Sequence, residues 1–361
     1  MDWRSRSLFI ASCLVAFQPA ATTLAQIENQ DKREREIILH PVESVSNRQH
    51  PGRRMCIVVG APGEAEFGAQ FVTWSEAWKA LEKSASLAWI GRADAVEGQL
   101  SETISEPASA SDKERLLDWI AKDSESHTEH WIVLMGHGTH DPASTKFNLR
   151  GPDITAEEIA KAIDGKAGTW IVIVCASSSG PFLSKLSGPN RVVITATKSG
   201  AEQNFSRFGK YLSEAIADPD SDLDHDRSLS VLEAFLAASD RVSKYYRDEG
   251  LLATEQALLD DNGDGRGTVA SFFRGVRAVK ASADGAKLDG SLARRIPLVS
   301  SESQLWWNAA NRQLLLQLEA QVEELRSRKS QMSEDTYYSE LETILRQLAD
   351  IIHGKDGIVE P

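Results

Sequence analysis

Two short apolar runs constrain the fold of this chain more than any other feature. They are residues 131–135 (WIVLM) and 170–174 (WIVIV), and each is continuous and rich in bulky or β-branched residues. Such runs are typical of strands buried on both faces, as in a parallel sheet covered by helices. Residues 154–163 between them have apolar side chains at helical spacing, with Asp153 as a candidate cap. The sequence therefore predicts a strand–helix–strand unit.

Each apolar run ends in a turn of small residues that carries a chemically useful group. The first turn holds His137 between Gly136 and Gly138, and the second, residues 175–180 (CASSSG), holds a thiol and three hydroxyls. A right-handed crossover between parallel strands brings both turns to the carboxyl edge of the sheet. Open α/β sheets carry their sites at that edge. The sequence thus predicts a histidine and a nucleophile that face each other across one cleft.

A strand ending in His-Gly, followed by a strand ending in Ala-Cys, resembles the caspase-like cysteine peptidases, the clan of caspases, metacaspases and legumains. Residues 133–138 (VLMGHG) match the first half of this signature, and the resemblance covers roughly residues 53–274. It implies an α/β fold with a caspase-like, mostly parallel sheet flanked by helices. It also implies that His137 is the general base and acid, and that the N–H groups of Gly138 and of the nucleophile hold the oxyanion.

The resemblance leaves two registers for the nucleophile. Caspases carry Gln-Ala-Cys and legumains carry Glu-Ala-Cys-Glu-Ser-Gly. When the shared alanine is set on Ala176 and the Ser-Gly pair on residues 179–180, the nucleophile position falls on Ser177. Cys175 then shares a strand face with Ser177 but lies roughly 6.5 Å away along the strand. The competing register takes Cys175 itself, whose thiol suits the chemistry because part of it is thiolate at neutral pH.

These registers lead to two hypotheses about function. The first is a caspase/legumain-like cysteine-type endopeptidase, in which His137 acts with Ser177 or Cys175 on a polypeptide substrate. The second is a catalytically inactive protein of the same fold, a calcium-stabilised scaffold or binding protein with a protein partner. The Ser177 register predicts little or no peptidase activity, because a serine needs a well-aligned base and only Asp141 offers a carboxylate near His137 in sequence. By position, the resemblance gives four candidates for the pocket of the substrate's P1 side chain: Lys198, Ser199, Glu202 and Asn204.

Acidic residues at alternate positions predict a calcium loop of the EF-hand type. Such a loop binds Ca²⁺ through oxygen ligands at positions 1, 3, 5, 7, 9 and 12. Arg227 stands where these loops carry glycine, and this adds backbone strain. The candidate ligands are Asp222, Asp224, Asp226, Ser228, Ser230 and Glu233.

A second stretch matches only the first half of such a loop. Asp260, Asn262 and Asp264 occupy the first ligand positions, but Ser271 stands where the closing carboxylate belongs. Solvated acidic turns are the alternative for both stretches. Ca²⁺ is therefore the candidate cofactor, and the sequence predicts no organic one.

The two ends of the chain predict export and a helical appendage. Residues 1–25 have a basic start, an apolar stretch and small residues before a cleavage site, which is the pattern of a signal peptide, with an uncleaved anchor as the alternative. Residues 26–52 form a polar linker, and residues 53–284 the caspase-like domain with its EF-hand-like loops. Apolar residues at heptad spacing predict a helical hairpin or coiled coil over residues 285–361. The mature chain is expected to be secreted or periplasmic, with no membrane span once the signal is removed.

Charge and cysteine content narrow the choice of partners and of stabilising bonds. A net charge of −13 over 361 residues argues against nucleic acid as a partner. Of the 3 cysteines, Cys13 belongs to the predicted signal peptide. Cys56 and Cys175 are predicted at opposite edges of a parallel sheet, so the sequence predicts no disulfide between them.

Overall fold

The computed structural model describes residues 52–81, 87–91, 110–122, 129–226, 228–279, 288–300, 314, 317–319, 321–322, 324–326 and 328–352. The predicted signal peptide, the predicted linker up to residue 51 and Arg227 lie outside the described residues. All the described residues fall in one unit, Val45–Pro361. Among them, no helix combines the length and the apolar character that crossing a membrane requires.

The secondary structure alternates between strands and helices over most of the chain. The strands are β1 (Arg53–Val59), β2 (Leu87–Ile90), β3 (Glu129–Met135), β4 (Gly138–Asp141), β5 (Ser144–Phe147), β6 (Ile154–Thr155), β7 (Thr169–Cys175), β8 (Arg191–Thr195), β9 (Ser228–Ser230), β10 (Leu258–Asp260), β11 (Thr268–Val269), β12 (Phe273–Arg274), β13 (Arg277–Ala278) and β14 (Pro297–Ser300). The α-helices are α1 (Ala65–Leu81), α2 (Asp112–Ala121), α3 (Ala156–Ile163), α4 (Gly180–Leu186), α5 (Phe208–Ala217), α6 (Val231–Asp248), α7 (Ser291–Arg295) and α8 (Glu334–Ile352).

A mostly parallel sheet forms the centre of the molecule, in the order β11-β10-β8-β7-β3-β1-β2. The strands from β2 to β8 in this order run parallel, whereas β10 and β11 are antiparallel to their neighbours. The two apolar runs of the sequence lie in β3 and β7, side by side in the middle. The predicted fold class, an α/β fold with a mostly parallel sheet flanked by helices, is confirmed.

Helices cover both faces of the sheet, and this explains why the apolar runs are continuous. Successive residues of β3 and β7 point alternately into two hydrophobic clusters. One cluster contains α1, α5 and α6 side chains such as Trp78, Phe208 and Phe235. The other contains α2, α3 and α4 side chains such as Ile120 and Phe182. Since each large apolar side chain contributes about 1.5–3 kcal/mol when buried, a polar substitution within either apolar run would lower the stability of the fold.

The crossover helix α3 begins two residues later than the sequence predicts. Ile154 and Thr155 pair with β5 as the short strand β6. The predicted cap is wrong: Thr155 is the N-cap, and its hydroxyl accepts the Glu158 N–H at 3.1 Å while the Glu158 carboxylate accepts the Thr155 N–H at 2.9 Å. Asp153 instead accepts the N–H of Leu149 at 3.1 Å.

The domain boundary predicted at residues 284/285 does not match the packing. Strand β14 pairs with β9, and Ala293, Ile296 and Leu298 are buried in the same cluster as α5 and α6. The carboxylate of Asp261 also accepts N–H groups from Gly290, Leu292 and Ala293. Residues 289–299 are therefore part of the α/β core.

The described residues between 314 and 352 are mostly helical. Described residues between 314 and 326 have helical conformation, and α8 follows after a short connection. Their contacts are uneven, since some apolar side chains are buried and others are exposed. The buried ones are Leu318, Val322, Leu325 and Tyr337.

The assignment of residues 289–299 to the core makes a stability prediction. Leu298 is 1% exposed, so Leu298→Ala is expected to lower the free energy of unfolding by about 2–5 kcal/mol through lost burial and a residual cavity. Leu288 is 40% exposed, and Leu288→Ala is the matched control, with an expected change within about 0.5 kcal/mol. Urea unfolding of both variants measures the difference. If both substitutions lowered the free energy of unfolding equally, residues 289–299 would belong to a separate appendage and not to the core.

Candidate functional site

His137 and Ser177 lie at the carboxyl edge, just past the ends of two neighbouring strands. The parallel register pairs Met135 with Cys175 as the last residues of β3 and β7, and the Gly136 N–H donates to the Cys175 carbonyl at 3.2 Å. His137 and Ser177 each follow two residues later, so the alternation of side chains gives them the same face. The structure thus brings together the His-Gly turn and the Ser177 position.

The His137 ring is held by one carbonyl group and three phenylalanines. Its Nε2 lies 3.2 Å from the Pro62 carbonyl oxygen. Because a carbonyl only accepts, Nε2 carries the proton and Nδ1 is the basic nitrogen of the neutral ring. The rings of Phe67, Phe71 and Phe205 contact the imidazole edge to face, at centroid distances of 5.5, 5.0 and 6.2 Å. These contacts fix both the orientation and the tautomer of His137.

The sequence did not identify Pro62, because residues 60–63 (GAPG) have the pattern of a plain turn. The available signal is its position, since this turn ends β1 and β1 is paired with β3 at the same edge. Gly63 has φ +63°, and a Cβ there would lie 3.2 Å from His137 Nε2. Asp141, the carboxylate nearest to His137 in sequence, is engaged elsewhere. Its Oδ1 accepts the N–H groups of Ala143 and Ser144 at the tip of the β4–β5 hairpin.

The Ser177 hydroxyl is held by the backbone of Gly138. Ser177 Oγ accepts the Gly138 N–H at 3.3 Å and donates to the Gly138 carbonyl at 3.2 Å. Within the described part of the chain, no hydrogen bond joins Ser177 to the His137 ring. A Cβ on Gly138 would lie 2.2 Å from the Ser177 carbonyl oxygen, so this close approach requires glycine. The N–H predicted to hold an oxyanion is therefore occupied by the hydroxyl itself.

The environment of Cys175 does not fit the prediction that it is the nucleophile. Its side chain is 1% exposed and belongs to the hydrophobic cluster under α1 and α5. A Cβ on Gly209 of α5 would lie 3.0 Å from the Cys175 Cβ. Burial, and then the Glu255 carboxylate, raise the pKa of the Cys175 thiol far above its usual value. Catalytic thiols need the opposite, a partly exposed site that stabilises the thiolate.

The turn after Ser177 is tied to the segment that follows β8. The Ser178 N–H donates to the Glu202 carbonyl at 2.8 Å, and Ser178 has φ 53°. The hydroxyls of Ser179 and Thr197 lie 3.2 Å apart, and the Gly180 N–H donates to Thr197 Oγ1 at 2.9 Å. The two loops therefore form one hydrogen-bonded unit at the edge of the sheet.

Two of the four predicted P1-pocket residues line a cavity of about 320 Å³. Lys198 and Glu202 form part of its wall, and the Lys198 N–H donates to Glu202 Oε2 at 2.8 Å. Ser199 contributes its carbonyl to the Thr197 hydroxyl at 3.2 Å and is absent from the cavity wall. Asn204 is exposed and also lies outside that wall.

Glu255, which the sequence did not identify, is buried beside this cavity and caps α5. Its carboxylate accepts the Ser206 hydroxyl at 2.6 Å and the N–H groups of Arg207 and Phe208 at 2.9 and 3.1 Å. These N–H groups begin a helix that has no cap from its own N-cap side chain. Burial raises the pKa of Glu255 despite these bonds. By fixing the start of α5, Glu255 also fixes the adjacent segment that holds Phe205 against His137.

The first acidic loop brings three of its six predicted ligands together. Oxygen atoms of Asp222, Asp224 and Asp226 lie within 4.8 Å of one another. Partial burial, and then the Asp224 carboxylate, raise the pKa of Asp226 to about 7. Glu233, the predicted closing ligand, is not a member of this group. Its Oε1 accepts the N–H groups of Leu223 and Asp224 at 2.9 and 3.1 Å.

The serines of this loop also have other partners. Ser228 donates its hydroxyl to the Val299 carbonyl at 3.1 Å, and Ser230 is the N-cap of α6 in a capping box with Glu233. In the second acidic loop, both Asp260 oxygens accept N–H groups, from Gly263 and Gly265 at 3.0 Å each. Asn262 and Asp264 each accept the N–H two residues further on, at 2.8 Å.

Comparisons with known proteins give a likeness to caspase structures at low similarity. No protein-family model matches the chain, and no curated protein matches it. The crystal structure of the Drosophila initiator caspase Dronc is 14% identical, with a TM-score of 0.38, over 62% of this chain and 91% of that one. The crystal structure of drICE is 10% identical, with a TM-score of 0.34, over 60% and 90%. TM-scores this low do not support any conclusion about the function of this chain.

The buried position of Cys175 predicts that its thiol is inert in the folded chain. In a Cys13→Ser background, iodoacetamide is expected to label Cys175 at least about tenfold more slowly in buffer than in denaturant, because burial removes the thiolate. Cys175→Ala should leave the labelling of the folded chain unchanged. Mass spectrometry after timed quenching measures the rate. Fast labelling of folded Cys175 that is lost in His137→Ala would restore Cys175 as the nucleophile.

Proposed function

We propose that this protein is a caspase-like polypeptide-binding protein without cysteine-peptidase activity. The proposal is supported by the Ser177 hydroxyl, which the sequence aligns with the family's nucleophile and which is bonded to both backbone groups of Gly138. Cysteine-peptidase chemistry needs a thiolate beside the histidine. The described residues place no thiol there, since Cys175 is in the core.

The edge of the sheet supports binding of an extended chain. His137 and Gly138 are partly exposed on one side of the edge, and the Lys198–Glu202 segment forms the other side. The cavity beside that segment holds about 320 Å³, which is room for one side chain with polar groups at its wall. An open sheet edge beside a pocket for one side chain suits a polypeptide partner.

A second candidate function is serine-type hydrolysis by Ser177 and His137. It is favoured by the Pro62 carbonyl, which orients the imidazole and leaves Nδ1 as the base. It requires the Ser177 hydroxyl to leave the Gly138 carbonyl and turn to His137. A fluorophosphonate probe tests it, because labelling lost in both Ser177→Ala and His137→Ala would establish a serine nucleophile.

The proposed function predicts binding without cleavage. Fluorescein-labelled casein is expected to gain anisotropy on titration with the protein and to remain intact on a gel. Glu202→Lys should weaken this binding at least about fivefold, because it reverses a charge at the cavity wall and replaces the pair with Lys198 by repulsion. Glu249→Lys, an exposed position at the end of α6, is the control. Cleavage of casein by the unmodified protein would refute the proposal.

The same proposal predicts that one substitution creates a reactive thiol. Ser177→Cys in a Cys13→Ser background is expected to react with iodoacetamide faster than any cysteine of the folded parent chain. This reactivity should fall when His137→Ala is added, because the imidazole stabilises the thiolate. Ser179→Cys, which places a thiol in a fully buried position two residues away, is the control. If the thiol at position 177 reacted equally fast without His137, position 177 would not lie beside the His137 ring.

We also propose that Asp222, Asp224 and Asp226 hold a Ca²⁺ ion. Three carboxylate oxygens within 4.8 Å suit a hard divalent cation. Burial, and then repulsion from Asp224, raise the pKa of Asp226 to about 7, and a cation relieves that repulsion. Without the ion, a carboxyl whose pKa is raised in the folded state contributes stability at low pH. That contribution is lost as the pH rises from the ordinary value of 3.8 through about 7.

Calcium is therefore expected to raise the melting temperature more at pH 8, where Asp226 is ionised, than at pH 6, where a proton competes. Chelation should reverse the shift, and Asp224→Asn combined with Asp226→Asn should abolish it. Asp220→Asn, an exposed neighbour outside the group, is the control. Differential scanning fluorimetry across a calcium series measures the shift. An identical melting curve with calcium and with chelator at both pH values would exclude the site.

A further inference from the structure

Helix α8 presents an apolar face that no described residue covers. Tyr338 is 53% exposed and Leu345 is 47% exposed, whereas Tyr337, on another side of the helix, is 5% exposed. A shallow groove runs along this open face, lined by Tyr338, Leu341, Glu342, Leu345, Arg346 and Ala349. We refer to these six residues as the α8 patch. Exposed apolar patches on helices are typical of contact surfaces.

The α8 patch is complementary to itself when a second copy lies antiparallel. In that arrangement the large Tyr338 of one copy falls opposite the small Ala349 of the other. Glu342 falls opposite Arg346, and Leu341 opposite Leu345. All three pairings have their midpoint at residues 343–344, so one two-fold axis satisfies them together.

Charge selects the antiparallel orientation over the parallel one. Glu342 and Arg346 are 2.6 Å apart within one helix and are both largely exposed, so this pair alone adds little stability. An antiparallel neighbour adds two crossed pairs and joins four charges into one network. A parallel neighbour in register would place Glu342 on Glu342 and Arg346 on Arg346, and like charges at that spacing repel.

We propose that a second copy of this chain occupies the α8 patch, through antiparallel pairing of the two α8 helices. Nineteen residues make α8 about 28 Å long, so the pairing buries a small interface. Dimer formation is therefore concentration-dependent and salt-sensitive. The contact lies on the C-terminal helix and uses no residue of the His137 edge.

Light scattering across a concentration series tests the proposal on the full chain. The unmodified protein is expected to approach the mass of two chains as its concentration rises. Arg346→Glu and Glu342→Arg should each shift the midpoint of dimer formation at least about tenfold upward, because each homodimer then holds only like charges. An equimolar mixture of these two variants should return the midpoint to that of the unmodified protein. Gln347→Glu, exposed on a different side of α8, is the control.

Disulfide capture distinguishes the orientation. In a Cys13→Ser background, a mixture of Tyr338→Cys and Ala349→Cys chains is expected to cross-link under mild oxidation, whereas either variant alone should remain uncrosslinked. Positions 338 and 349 are about 16 Å apart along the helix, which separates the two outcomes clearly.

Capture of either variant with itself would indicate parallel pairing and would overturn the proposal. A chain that stays monomeric at every concentration would overturn it too. If Leu345→Glu lowers the melting temperature of such a monomer, a segment of the same chain, rather than a second copy, covers the patch.

Discussion

The parallel register between β3 and β7 is the constraint on which the rest of the site depends. It pairs Met135 with Cys175, and a shift of one residue would send every side chain beyond this point to the opposite face. In the observed register His137 and Ser177 emerge on one face above the sheet, while Cys175 remains one pleat deeper among the core side chains. The chemistry available at the edge is therefore set by backbone pairing in the core. Rotating the Cys175 side chain cannot bring its thiol to the position of Ser177, because the strand pairing holds it in the core.

Backbone groups and distant side chains hold the edge in place. The Pro62 carbonyl orients His137, the Gly138 peptide holds Ser177, and the Glu255 carboxylate fixes the start of α5. None of these contacts is local along the chain. Together they stabilise a cleft whose histidine has the orientation of a base, and whose hydroxyl is bonded away from that base. The imidazole is thus ordered by Pro62, while the Ser177 hydroxyl is engaged by the Gly138 peptide and not by the ring.

The sequence was sufficient to predict the strands of the core and the turns at the sheet edge, but not the contacts that hold these turns in place. Strands buried on both faces leave an unambiguous apolar run, so β3 and β7 could be predicted, and the turns after them followed from topology. The role of Pro62 could not, because it acts through a carbonyl that every residue possesses. The boundary at 284/285 failed because the buried residues beyond it, such as Ala293 and Leu298, occur singly. They gain their partners from β9 and α6, far away in sequence.

The hydrogen bond from Ser178 to the Glu202 carbonyl joins the strand-end turn to the wall of the cavity. Whatever enters the cavity and displaces Glu202 must also pull on the peptide next to Ser177. Occupancy of the cavity and the position of the sheet edge are therefore coupled through this one hydrogen bond. Under the proposed function, this coupling would let the protein signal that a ligand is bound without changing that ligand chemically.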